Sequence, residues 1–176
     1  PGPAADALAL RLLLGQRGSE NVGMEWAEID LEANVWSLPG ARTKNGRPHV
    51  VPLPPLARAI LVRRRKAVPA DEPRVFPGLT LTSPAHRALA ALRTGYEWKD
   101  LRRTVATRLA GLGFDETTIG RTLNHARTTV TSRHYVQHPY LDEVRRALTA
   151  WDREIGRIRR HEPAATATVV ALRRRR

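Results

Sequence analysis

The chain has 176 residues, room for one sizeable domain with a hydrophobic core or at most two small ones. An apolar content of 41% points to a globular body, and a formal net charge of +13 points to a polyanionic partner, nucleic acid before a membrane surface. The absence of cysteine excludes disulfides, thiolate chemistry and Cys-ligated zinc, and no stretch is long and apolar enough to span a bilayer, so a cytoplasmic protein without a membrane partner is expected. Only Lys44, Lys66 and Lys99 of the 30 basic residues are lysines; the rest are arginines. An arginine-rich composition with a basic tail is the plain alternative, yet nine charges remain without the run 173–176, so the body is basic too.

Residues 5–14 read as a buried helix ended by Gly15, which can take the left-handed C-terminal cap. Ser19 is the expected cap of a second short helix running through Val22 and Met24. Residues 26–30, 35–38 and 49–53 are short, partly β-branched and separated by turn residues, which predicts a three-stranded antiparallel sheet. Asn45-Gly46 tolerates positive φ and predicts a tight hairpin between the last two strands. After Pro54-Pro55 the pattern turns helical: 56–66, then a Pro-rich loop over 68–77, then a helix opened by Ser83-Pro84 and reaching Arg93. Residues 99–112 carry Leu101, Val105, Leu109 and Leu112 on one stripe, with Gly111 and Gly113 at its end. Asp115 caps the next helix, which reaches Asn124. Leu141, Val144, Leu148, Trp151, Ile155 and Ile158 then form a heptad seam. Residues 161–176 have no period and read as a disordered basic tail, leaving one domain over 1–160. The fold class expected is mainly α with a small antiparallel β-sheet. The apolar run beginning almost at the first residue suggests a fragment of a longer protein.

Phosphoryl transfer without a metal needs cations around the phosphate, a nucleophile, and a proton donor for the leaving oxygen. Acidic residues are scattered singly, so magnesium-holding clusters are not evident. Four segments carry the other parts. Gly15-Gln16-Arg17 with Glu20 offers a guanidinium fixed by an acid one turn on, although alone it reads more readily as a surface ion pair. Lys44 sits in a hairpin turn, where a solubilising charge is the plain alternative. Lys99 and Arg102 share a helix face, which by itself is as consistent with a solvated basic face. His125 ends the Asp115 helix, and Tyr135 follows ten residues later. A tyrosine needs neighbouring cations to act as a nucleophile, because its free pKa is about 10. His134 and His138 stand one helical turn apart, but no third zinc ligand is near.

Taken together and in this order, these segments resemble the tyrosine recombinase (phage integrase) family over residues 8–158. Gly15-Gln16-Arg17 with Glu20 looks like the family's first arginine box. Lys44, with Val51-Pro52-Leu53 downstream, looks like its hairpin lysine, and residues 100–107 look like its second arginine box. Leu123-Asn124-His125 looks like its third box, with Tyr135 in the nucleophile slot. The resemblance implies that Arg17 and Arg102 clamp the non-bridging phosphate oxygens and that Lys44 protonates the leaving 5′-oxygen. It implies further that His125 hydrogen-bonds the phosphate, that Glu20 supports Arg17, and that Tyr135 forms a 3′-phosphotyrosyl link. Such chemistry needs no cofactor, metal or ATP. The implied protein is a site-specific recombinase acting on double-stranded DNA, bacterial or prophage-encoded. Its C-terminal helix would dock on a neighbour to build a homo-tetramer, or pack on its own domain. The family's separate core-binding domain is absent from this stretch.

One position departs from the pattern. The family usually has His where Lys99 stands; Lys can donate to a phosphate but is a poor general base, its free pKa being about 10.4. Type IB topoisomerases carry Lys there, so a nicking and resealing enzyme is one alternative reading. A non-catalytic integrase-like DNA-binding module is another.

Overall fold

The computed structural model describes residues 2–80, 97–125 and 138–162. Helix α1 (Pro3–Leu14) is central and packs against four later helices, burying Ala7, Leu10, Leu13 and Leu14. Its proline at N1 has the φ a helix start needs and no amide hydrogen to leave unbonded. It ends as expected at Gly15, at φ 69° with its N–H bonded to the Arg11 carbonyl (2.8 Å). A Cβ there would lie 2.7 Å from the Leu123 side chain, so packing as well as backbone conformation demands glycine.

Helix α2 (Gly18–Val22) begins earlier than expected, with Arg17 rather than Ser19 at the cap position. The Glu20 carboxylate accepts the Arg17 N–H (2.8 Å), which satisfies an amide that Ser19, exposed one residue into the helix, is too late to reach. Met24 lies beyond this helix and is fully buried in the core.

The sheet is antiparallel in the order β1 (Ile29–Asp30), β2 (Val35–Leu38), β3 (His49–Pro52), with Trp36 facing Ile29 on one side and Val51 on the other. Residues 26–28 were expected in the first strand but form a 3-10 turn. The chain there is committed elsewhere: Trp26 N–H bonds the Pro73 carbonyl, and Val75 N–H bonds that of Met24. The turn also directs the Glu28 carboxylate inward to the Trp36 indole N–H (2.9 Å). The β2–β3 connection is not a two-residue hairpin either. It is a loop over 39–48 opened by a 3-10 turn, Gly40–Arg42, and narrowed where a Cβ on Gly40 would meet the Gly46 carbonyl at 2.6 Å. Asn45-Gly46 supplies the loop's positive φ, at Gly46, without closing a hairpin.

Helix α3 (Pro55–Ala67) has no capping side chain of its own; Asp152, far along the chain, accepts the Leu56 N–H (3.0 Å). The Pro-rich loop beyond it contributes Val75 and Phe76 to the core, and the buried Arg64 donates to the Val75 carbonyl. The expected helix from Ser83 to Arg93 lies outside the described residues. Helix α4 (Trp98–Gly111) buries Val105 and Leu109, while Leu112 of the expected stripe lies past its end and is exposed. Asp115 caps α5 (Glu116–Thr122) as expected, accepting the Thr118 N–H at 2.6 Å.

Helix α6 (His138–Arg159) carries the heptad seam, and its occupant is the chain's own domain. Val144, Ala147, Leu148 and Trp151 are buried, and the Trp151 indole donates to the Leu12 carbonyl (2.8 Å) at the end of α1. Of the seam residues Ile158 stands clear, 47% exposed. None of the described helices is long and apolar enough to cross a membrane.

Leu148→Ala should therefore lower the unfolding free energy by about 2–5 kcal/mol in urea denaturation, by removing a fully buried side chain. Unchanged stability together with altered self-association would instead mark the seam as a docking face.

Candidate nucleic-acid cleavage site

The site is assembled where three chain turns meet: the α1–α2 turn, the end of α5, and the β2–β3 loop. Gln16 is fully buried and ties the first two, its side-chain amide donating to the carbonyls of Leu14 and Thr122 (both 2.8 Å). Arg11 ties the turn to α4, donating to the Trp98 carbonyl (2.8 Å) and the Gln16 carbonyl (3.0 Å) while lying over the Trp98 ring. Burial lowers the Arg11 pKa to about 10, against the opposing attraction of Glu20, so Arg11 keeps its charge at neutral pH.

Arg17 is half-buried and points from this turn toward the end of α5. It pairs with the buried Glu20 (3.1 Å) and donates to the Asn124 carbonyl (3.3 Å). Arg102, from the first turns of α4, donates to the Gly15 carbonyl (2.9 Å) and to the Leu123 carbonyl. The two guanidinium groups thus reach successive carbonyls, Leu123 and Asn124, directly before His125. Desolvation first, and then the neighbouring Arg17 charge, lower the Arg102 pKa to about 10. His125 is exposed, and its pKa is lowered by partial desolvation and by the Arg102 and Arg17 charges, which favours the neutral ring.

Asn124 makes this junction possible. It occupies the left-handed region at φ 51°, which Asn tolerates better than most residues, and so ends α5 with its carbonyl turned to the arginines. Its side-chain oxygen accepts from Asn45 of the β2–β3 loop (2.8 Å). That loop carries Lys44, which is exposed and has no hydrogen-bond or ion-pair partner among the described residues.

Of the residues expected in the site, Arg17, Glu20, Arg102 and His125 are brought together, and Lys44 is placed on the adjoining loop. Lys99 is not drawn into the cluster; it is exposed and paired with the equally exposed Glu97 (2.6 Å). Tyr135, like Tyr96 and His134, lies outside the described residues.

Three residues escaped the sequence reading. Arg42 anchors the loop, donating to the Glu20 carbonyl (3.1 Å) and to the Glu28 carboxylate. Asn45 was read only as a turn former. His49 was read only as the start of a strand, yet its ring is buried and its Nε2 has no hydrogen-bond partner among the described residues. A concavity of about 520 Å³ lined by Ser19, Gly23, Arg42 and Arg74 among others excludes Arg17, Arg102 and His125.

The model of the phage integrase family matches residues 1–141. The chain belongs to that family. It is 32% identical over 149 residues to the prophage integrase IntA of Escherichia coli K12, an alignment that takes in 80% of this chain and 36% of the relative. It therefore spans well under half the length of that protein. Among solved structures it is similar to the XerA recombinase, with a TM-score of 0.56 and 16% identity over 93% of this chain and 62% of the other. A second similar structure is the Tn1549 transposon integrase in complex with circular intermediate DNA, at a TM-score of 0.49, 17% identity and 82% coverage of this chain. The XerA likeness bears on the fold, a mainly helical body with a small antiparallel sheet.

His49 gives the site a pH signature. Burial first, and then the Arg102 and Arg17 charges, lower its pKa to about 4, with Thr122 and Glu20 acting in the opposite sense. The unfolded chain binds a proton there below about 6.5 that the folded one refuses until about 4, so stability falls as pH drops through that window, by up to about 3 kcal/mol. Unfolding curves between pH 7 and 4.5 should be steeper in pH for the wild type than for His49→Gln. Parallel pH dependences would show that His49 is protonated in the fold.

Proposed function

We propose that this chain is the catalytic domain of a site-specific DNA recombinase, which cuts and rejoins strands through a 3′-phosphotyrosine. The observation that carries the reading is the pair of guanidinium groups on the Leu123 and Asn124 carbonyls, next to His125. Paired cations on a fixed backbone suit the two non-bridging oxygens of one phosphate. Family membership and the +13 charge support double-stranded DNA as the partner.

In this reading Arg17 and Arg102 clamp the scissile phosphate, Glu20 holds the Arg17 rotamer, and neutral His125 donates a hydrogen bond. The Tyr135 oxygen attacks phosphorus as its proton passes to solvent water; the P–O5′ bond breaks and Lys44 gives its proton to the departing 5′-oxygen. The product is still a phosphodiester, so a 5′-hydroxyl can reverse the step without ATP, and no metal or cofactor takes part. Lys99 donates to the phosphate rather than serving as a base. Its exposed pairing with Glu97 is weak enough to be exchanged. A homo-tetramer on DNA belongs to the proposal, but Leu148 and Trp151 are already committed to their own core and do not form its interface. The setting is the cytoplasm of a bacterium carrying a mobile element.

On a nicked suicide duplex, Tyr135→Phe should bind as the wild type does and yield no covalent adduct by mass spectrometry. An adduct that survives, or one mapped to Tyr140, would reject the assignment. A wild type that binds but never forms an adduct would leave a DNA-binding module. Supercoil relaxation without strand exchange would indicate the topoisomerase-like enzyme.

Binding itself should depend steeply on salt. With about six phosphates neutralised, affinity falls on the order of a thousand-fold from 50 to 200 mM salt. Fluorescence anisotropy over that range is the check, and a flat response would remove the backbone-contact reading.

A further inference from the structure

The Lys44 side chain has no partner among the described residues, so its position is set by its neighbours in the loop. On one side is Arg42, held by Glu28 and the Glu20 carbonyl. Immediately on the other is Asn45. Its amide nitrogen donates to the Asn124 side-chain oxygen (2.8 Å) and lies 3.4 Å from the Asn124 carbonyl, while its own oxygen accepts the Arg47 N–H (3.2 Å). These contacts fix which way the amide faces, with the nitrogen toward Asn124. The same Asn124 carbonyl accepts from Arg17. One amide therefore ties the residue next to Lys44 to the carbonyl that seats the phosphate clamp, across 79 positions of sequence.

We infer that Asn45 is a positioning residue for strand cleavage, which holds the Lys44 loop against Asn124 so that the lysine reaches the leaving oxygen. This rests on the cleavage reading above. It makes a claim about chemistry rather than folding: losing Asn45 should harm only the step in which Lys44 gives its proton. A leaving group that needs no proton should then hide the loss. A 5′-bridging sulfur is such a group, because a thiol with a pKa of about 8.5 departs readily as thiolate.

The test is single-turnover cleavage by the full chain on matched duplexes with oxygen or sulfur at the scissile 5′ position. Asn45→Ala should cleave the oxygen substrate about ten- to a hundred-fold more slowly, the usual effect of a displaced general acid, with DNA affinity unchanged. On the sulfur substrate it should match the wild type. Asn45→Asp, which keeps the shape but removes the donor, should behave in the same way. In a Lys44→Ala background, Asn45→Ala should slow the oxygen substrate no further. Equal slowing on both substrates, or none on either, would overturn the inference while leaving strand cleavage standing. No wild-type adduct on either substrate would overturn the cleavage reading and this inference with it.

Discussion

Two guanidinium groups held side by side repel each other, and the domain is arranged to offset that repulsion with backbone oxygens. Arg17 and Arg102 find three carbonyls, those of Gly15, Leu123 and Asn124, and one carboxylate, that of Glu20. All of those carbonyls sit at helix ends, where the last oxygens have no partner within the helix. The end of α1 and the end of α5 are thus used as acceptors for charge. This explains why the turn at 15–17 is fastened so heavily, by Gln16 to Thr122 and by Arg11 to Trp98. A small drift of either helix end would leave a buried or half-buried cation without its acceptor, at a cost of about 1–3 kcal/mol or more.

The same constraint separates what could be read in the chain from what could not. Gly15 as a left-handed cap, Asp115 as an N-cap and the spacing of Val144, Leu148 and Trp151 are local signals, because each depends on a few neighbours in sequence. They appear in the structure where expected. The start of β1 could not be read this way. Trp26 and Met24 bond to residues 73–75, some 50 positions on, and that pairing overrides the extended preference of 26–28. Ser19 is an apt cap by type, but the helix starts earlier, with Arg17 at the cap position and its N–H held by Glu20. The seam on α6 was legible as an apolar stripe but not as to its partner, which only the placement of α1 and the sheet decides.

Within the candidate site, the residue types carried by the boxes could be picked out because charge chemistry limits the choices. Arg17, Glu20, Arg102 and His125 are the residues that do converge. Residues whose part depends on tertiary placement left a weaker trace. Asn45 beside Gly46 has an ordinary explanation as a turn, and His49 beside Val50 and Val51 as a strand end. The Asn45 bond to Asn124 and the electrostatic influence of the arginines on His49 arise from the tertiary fold, where neither periodicity nor composition points to them.

The electrostatics of the site follows from the same arrangement. Arg102 and His125 both have pKa values below the ordinary ones, and in both the causes include burial and cations of the site itself. Such shifts record burial first, and then positive charges gathered close together. In the proposed reading, a phosphate between the arginines would oppose the coulombic part of these shifts, favouring charged Arg102 and raising His125, while the part due to burial would remain. By linkage, a ligand that raises a group's pKa binds with proton uptake when that group titrates near the working pH, and His125 is the group placed to do so. In the proposed reading, an anion arriving here meets cations that the fold has already brought together, so little reorganisation opposes its binding.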